Sequence, residues 1–220
     1  MTDSCHSVNL AIKYYSACMN QTAHQYFIIN KPYNMVSQFV STHQVGLLGD
    51  LDFDFPAGTH AVGRLDNHSE GLLILTTNKK VTRLLFLADT PHKRTYLVQI
   101  NNLLSKEKLH LLQTGITIRI KGGINYVTPA CDVSIVEKPE LIYPAAITQP
   151  QYGPHTWLLI TLTEGKYHQV RKMVGALHHR CKRLIRVSIE GLELGGLAPG
   201  CVKEIEEKDF LKKLKIDLPL

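Results

Sequence analysis

The junction at residues 63–76 restricts the fold more than any other feature of the chain. Gly63-Arg64-Leu65-Asp66-Asn67-His68-Ser69-Glu70-Gly71 runs straight into Leu72-Leu73-Ile74-Leu75-Thr76. A continuous apolar run of strand length suits a strand buried on both faces. A sheet must therefore enclose 72–76, and the charged, glycine-bounded turn before it must lie at the rim of that sheet. Polar groups held at the end of a central strand by a rigid core are a common location for catalysis. The plain structural alternative is a turn in which Asp66 or Asn67 caps its own backbone.

The rest of the chain supplies partners for that strand. Strand patterns fall at 25–29, 95–100, 132–136, 157–163, 184–189 and 202–205, and 116–120 and 124–128 flank the hairpin signal Lys121-Gly122-Gly123. Asn78 is placed to cap a helix carrying Val81, Leu84, Leu85 and Ala88, and Ser105 a helix carrying Leu109, Leu111 and Leu112 that Gly115 ends. Val170, Met173, Val174 and Leu177 form an i, i+3, i+4, i+7 stripe, and a last amphipathic helix spans 207–215. Strands outnumber helices, which predicts an α+β protein with a mixed, mostly antiparallel sheet. Residues 1–24 read as a short, poorly ordered leader, 25–220 as one domain, and 138–155, with four of the ten prolines, as an irregular surface excursion.

The chain carries 25 Lys and Arg against 19 Asp and Glu, a formal net charge of +6. The excess is concentrated. Lys166, Arg171, Lys172, Arg180, Lys182, Arg183 and Arg186 fall between residues 166 and 186 with no acid among them. A basic run is often only a solvated face, but this one begins on a helix with an apolar opposite face and lacks interspersed acids. A polyanion bound there releases counterions, so its affinity should fall steeply with salt. The five cysteines include no C-x-x-C pair, which fits reduced cytoplasmic thiols better than a disulfide frame or a zinc site. No run approaches the ~20 apolar residues of a membrane span, and 1–24 lack the pattern of a secretory signal. The expectation is a cytoplasmic protein without membrane contact.

Three chemistries fit the turn. Asp66, His68 and Ser69 suggest a hydrolase triad, but neighbours on a tight turn do not generally aim at one another, and G-x-S-x-G is absent. His60, Asp66 and His68 suggest a metal-dependent hydrolase, without a second cluster to complete the shell. In the third, Arg64 and Asp66 share one side of an extended backbone, and the arginine keeps the carboxylate ionised for nucleophilic or electrostatic work.

At this motif the sequence resembles a known family. G-R-L-D-x-x-S-E-G-L-L-x-L-T, from Gly63 to Thr76, is similar to the signature of the RsuA/RluB/RluE/RluF family of ribosomal RNA pseudouridine synthases. Asn30-Lys31-Pro32, Lys93-Arg94-Thr95-Tyr96-Leu97-Val98 and Glu164-Gly165-Lys166-Tyr167-His168-Gln169-Val170-Arg171-Lys172-Met173 resemble further motifs of that family, in order. So do Leu184-Ile185-Arg186 and Leu194-Gly195-Gly196-Leu197-Ala198-Pro199-Gly200. The likeness spans residues 25–206. It departs from the family in leaving no room upstream for the S4 domain of many members and in Lys203, where an arginine is common. These features, with Tyr33 and Trp157, look most like the RluE branch, whose members act on 23S rRNA.

The resemblance implies the pseudouridine synthase fold, a mixed sheet in two lobes flanked by helices and loops with the active-site cleft between them. It also implies a cofactor-free, metal-free isomerisation of one uridine in ribosomal RNA by a monomer. Asp66 would be the catalytic carboxylate, adding to C1′ or assisting C2′ deprotonation. Arg171 would pair with it, and Tyr96 would stack on the base and stand as the late proton acceptor. Arg64 would hold the flipped RNA, Leu184 or Ile185 would wall the pocket, and Lys166, Gln169, Lys172 and Arg183 would contact the substrate. His168, His178 and His179 read as RNA-facing or solvated. A non-catalytic rRNA-binding or ribosome-assembly factor on the same fold is the alternative from another class.

Overall fold

The computed structural model describes residues 23–86, 91–137 and 153–217. The leader over 1–22, Ala88 and most of the 138–155 stretch lie outside the described residues.

The expected central strand, β3 (Glu70–Thr76), is buried at all seven positions. Its side chains serve two cores, because successive residues of a strand point to opposite faces. Leu72 and Ile74 pack with Val81, Leu85 and Phe210. Leu73 and Leu75 pack with Phe27, Ile29 and Leu65. β1 (Tyr26–Lys31) runs antiparallel along the whole of β3, with Lys31 opposite Gly71. β2 (His60–Val62) covers the C-terminal half of β3 from the other side.

A second set of strands forms the other half of the sheet. β4 (Arg94–Asn101) lies between β8 (His155–Leu162) and β9 (Cys181–Ile189), and β7 (Asp132–Val136) forms the far edge beside β8. The nine-stranded sheet has the path β11-β1-β3-β9-β4-β8-β7, in which β11 is Val202–Glu204, with β10 (Leu192–Glu193) on β9. The hairpin expected around Lys121-Gly122-Gly123 forms separately as β5 (Thr117–Arg119) and β6 (Asn125–Val127).

The helices start where their caps predict. Asn78 Oδ1 accepts from the Lys80 N–H ahead of α1 (Lys80–Phe86), and Ser105 Oγ accepts from the Lys108 N–H ahead of α2 (Lys106–Thr114). α3 (Gln169–Ala176) buries Val170, Met173 and Val174 in a core shared with Val98, Leu158 and Leu184. α4 (Glu207–Leu214) seats Phe210 against Tyr26, ring centroids 4.5 Å apart.

The two halves meet at one place. β3 and β9 are the parallel pair of the sheet, in register at only two positions, Glu70 with Ile185 and Gly71 with Arg186. Gly71 has φ +99°, and a Cβ there would lie 2.3 Å from the Arg186 carbonyl oxygen and 2.8 Å from its nitrogen. Only glycine permits that approach. Gly71→Ala should therefore cost more than about 2 kcal/mol, through backbone strain together with parting of the seam. Urea denaturation of the two chains measures it.

Candidate active site

Asp66 lies in a turn that the rest of the molecule holds from several sides. Gly63, at φ +74°, bends the chain out of β2, with no room for a side chain beneath it because the Phe86 ring would lie 2.8 Å from a Cβ. Ser37 Oγ accepts from the Leu65 N–H at 2.9 Å and donates to the Leu65 carbonyl at 3.0 Å. The Asn34 N–H (2.9 Å) and Lys31 Nζ (3.4 Å) both donate to the Asn67 carbonyl. From α3, Arg171 Nη2 donates to the His68 carbonyl at 2.7 Å and to Ser69 Oγ at 3.4 Å. The Ser69 N–H closes the turn on the Asp66 carbonyl at 2.9 Å. A carboxylate on such a brace is pre-positioned, which is what a reacting group requires.

Asp66 opens into a cleft of about 660 Å³. Ser37, Arg64 and Leu65 line one side, Tyr96, Leu184 and Arg186 the floor, and the 164–170 stretch the other side. Tyr96 and Arg186 are paired residues of β4 and β9, so their side chains share the face that Leu184, two residues earlier on β9, also presents. Two aromatic pairs lie nearby, one on the Asp66 turn and one on the 164–170 stretch. Tyr33 stacks on His68 (5.1 Å), and the exposed Tyr167 stacks on His168 (3.9 Å) with Lys172 Nζ 5.4 Å from the tyrosine ring centroid. Such rings offer stacking surfaces to unpaired bases.

Several residues lie elsewhere than the sequence predicts. Arg171 does not pair with Asp66; it braces the turn through the His68 carbonyl. Arg64 is exposed at the cleft and forms no ion pair among the described residues; Gly63 is a bend, and no strand runs from Arg64 to Asp66. Arg183 and Ile185 are corrected outright. Alternation along β9 turns both away from the Leu184 face: Ile185 packs with Leu97 and Trp157, and Arg183 clasps the buried Glu70 at 2.9 and 2.7 Å. Gln169 borders the cleft, but its amide is spent on the loop, accepting from the Lys166 N–H and donating to Glu164. Lys166 is exposed at the cleft, and Lys172 sits beside its mouth against Tyr167.

Three residues were missed by reasoning from sequence. His168, in a left-handed backbone conformation at φ 56°, brings Nε2 to 3.5 Å from Asp66 Oδ1. No local signal showed that contact. Arg186 belongs to the floor, and period-2 alternation from Leu184 would have placed it there. Lys31 is buried, with Nζ donating to the carbonyls of Pro32 (2.8 Å) and Met35 (2.6 Å) as well as Asn67. Burial pushes its pKa from 10.5 down to about 8, against the opposing pull of the Glu70 and Asp66 carboxylates, with Arg186 adding to the depression. The exposed His68 faces Tyr33, and no group of three or more His, Cys, Asp or Glu among the described residues is arranged to hold a metal ion.

A braced carboxylate over an aromatic-floored cleft, on a sheet joined by one short parallel seam, is an arrangement with known counterparts. The chain belongs to the RNA pseudouridylate synthase family, whose model matches residues 25–176. Among its relatives, ribosomal large subunit pseudouridine synthase E of Vibrio vulnificus is 35% identical over 185 residues, covering 81% of this chain and 74% of that one. The protein of the same name from Xanthomonas axonopodis is 33% identical over 176 residues, covering 78% of this chain and 89% of its own. A solved structure described as a pseudouridylate synthase superposes with a TM-score of 0.70 at 25% identity, over 87% of this chain and 74% of that one.

Two predictions follow from the charges. Lys166→Ala should lower the slope of log K against log salt for RNA by about one, whereas Arg183→Ala should leave the slope intact. The latter should instead destabilise the fold by about 3–5 kcal/mol, because it strands the buried Glu70 carboxylate. Filter binding across a salt series and urea denaturation separate the two effects. For Lys31, the folded chain releases its proton near pH 8 and the unfolded chain near 10.5. Between those values the unfolded state binds more protons, so this group makes stability rise with pH, whereas below about 8 its cost is constant. The stability of Lys31→Met relative to wild type should therefore fall between pH 8 and 10, read from denaturation of both chains at each pH.

Proposed function

We propose that this protein converts one specific uridine of large-subunit (23S) ribosomal RNA to pseudouridine, with Asp66 as the catalytic carboxylate. The observation that carries the reading is Asp66 held rigid on its braced turn, opening into a cleft floored by Tyr96 and Leu184. The names of the relatives from Vibrio vulnificus and Xanthomonas axonopodis support the large subunit as the source of the RNA.

On this reading the target uridine leaves its stack and enters the cleft, where Tyr96 offsets the lost stacking and Leu184 walls the pocket. The exposed Arg64 and Lys166 meet the backbone phosphates at the rim. Asp66 adds to C1′ as the N1–C1′ bond breaks, or takes the C2′ proton to the same end. The uracil turns within the cleft and C5 bonds to C1′, as the bond from C1′ to Asp66 breaks or the C2′ proton returns. The C5 proton then departs, with Tyr96 the nearby candidate to receive it, and N1 takes up a proton. Exclusion of water protects the detached base. Arg171 acts as a positioning residue, through the turn carbonyl that it holds. The same reading has a monomer working without cofactor in the cytoplasm; for the compartment alone, cysteines without a C-x-x-C pair are in keeping with a reducing environment.

Asp66→Ala should abolish pseudouridine formation, with RNA affinity changed less than about threefold, since the carboxylate acts on the reaction and adds no attraction for phosphate. Mass-spectrometric mapping of pseudouridine in rRNA from cells with and without the gene, complemented by either chain, gives the site and the dependence together. Isomerisation by Asp66→Ala sinks the mechanism. Binding of rRNA by the wild-type chain without any pseudouridine favours the assembly-factor alternative.

A further inference from the structure

Arg186 lies on the cleft floor and is 2% exposed. Its Nε donates to the Leu72 carbonyl at 2.7 Å, while Nη2 is buried without a hydrogen-bond partner. Arg94, also buried, lines the same cleft with its guanidinium 4.8 Å from the centroid of the Phe86 ring. Neither arginine forms an ion pair among the described residues. The buried Lys31 amine adds a third cation, whereas of the three nearby carboxylates Glu70 is clasped by Arg183 and Glu164 accepts from Gln169 and Tyr126, which leaves Asp66. The floor therefore carries positive charge in excess of its carboxylates, in a place where water does not compensate it. An unmet buried donor costs about 1–3 kcal/mol, more when it is charged, unless a ligand satisfies it.

We propose that Arg186 is a catalytic residue whose guanidinium, in the lining of the cleft beside Tyr96, stabilises by its charge the uracil anion released when the N1–C1′ bond breaks. The inference rests on the proposed isomerisation and deepens it. In that step the electron pair of the N1–C1′ bond stays with the base and spreads over N1, O2 and O4. C1′ is left bonded to Asp66 or, after loss of the C2′ proton, doubly bonded to C2′. Either way the base carries one negative charge until C5 bonds to C1′, which frees the Asp66 carboxylate or goes with return of the C2′ proton. The neutral C5-linked base then loses its C5 proton and takes one up at N1. A cation fixed near where that charge develops stabilises it and needs no reorganisation at the moment of reaction. Arg186 shares its face with Tyr96 and Leu184, while the phosphates of the strand remain with Arg64 and Lys166 at the rim. Arg94 sustains the field from behind, beside Tyr96.

The test uses the full chain and 23S rRNA transcripts made with uridine or with 5-fluorouridine, whose electron-withdrawing fluorine makes the base a better leaving anion. Arg186→Met should slow single-turnover loss of the target nucleoside by about 100-fold or more on the uridine transcript, with RNA affinity within about threefold of wild type. On the fluorinated transcript the defect should shrink to about tenfold or less, because a better leaving group needs the guanidinium less. An equal defect on both transcripts overturns the proposal, as does lost affinity with an unchanged rate, which would make Arg186 a phosphate contact. Should Arg186→Met fail to fold, Arg186→Gln removes the charge and keeps a polar side chain. A slowed rate that fluorine restores then supports the proposal, and a wild-type rate or a fluorine-insensitive loss overturns it. A wild-type chain that forms no pseudouridine at all overturns the isomerase reading instead.

Discussion

The contact on which the rest of the structure depends is the two-residue parallel seam between β3 and β9. Backbone meets backbone there because Gly71 has no side chain, and the two halves of the sheet separate on either side of it. The seam is clamped from both faces, by the Glu70–Arg183 pair on one and by Arg186 reaching the Leu72 carbonyl on the other. The cleft opens directly above it. The Asp66 turn leads into the first residues of β3, and Arg186 belongs to the paired residues of β9, so one close approach sets the distance between the carboxylate and the floor.

That arrangement has an electrostatic consequence. A soluble protein ordinarily keeps lysine and arginine at its surface, because removing their charge from water is costly. Here Arg94 and Arg186 are buried in the lining of one cleft, and Lys31 is buried against the Asp66 turn beside it. Lys31 is satisfied by three carbonyl oxygens and thereby ties the 32–35 loop to the Asp66 turn. Arg94 and Arg186 are not neutralised by carboxylates, and the cost of holding them there becomes useful only when negative charge forms between them. Burial combined with the neighbouring Arg186 lowers the pKa of Arg94, the mark of a site whose positive potential is built into the fold before any RNA arrives.

Much of this was legible in the chain itself. The apolar run over 72–76, the caps at Asn78 and Ser105, the glycine hairpin and the stripe of α3 each carry a local signal, and each forms the expected element. The beginning of β9 was less legible, since Cys181, Lys182 and Arg183 look like solvated surface although the strand starts there. β10 was invisible because two residues carry no periodicity. Among site residues, Asp66, Tyr96, Arg64, Lys166 and Leu184 all border the cleft. Spacing along the chain makes Arg183, Leu184 and Ile185 one surface, whereas a strand sets Leu184 on one face and its two neighbours on the other. Arg171 was assigned to the carboxylate and not to the turn that carries it, a difference that spacing along the chain does not express.

What the chain determines alone is local: which segments are strands and helices, where they are capped, that a charged turn must precede a buried strand, and that positive charge gathers in 166–186. These follow from hydrogen bonding, backbone freedom and hydrophobic period within a few residues. What only the tertiary structure decided is which distant groups meet. His168 reaches Asp66, Arg171 grips the His68 carbonyl, and Arg186 keeps an unmet donor opposite Tyr96. Those contacts span about a hundred residues, or ninety between Tyr96 and Arg186, and arise from the pairing of β3, β9 and β4. Burial and charge compensation depend on what lies across space, so the chemistry of the cleft emerges when the two halves of the sheet close on Gly71.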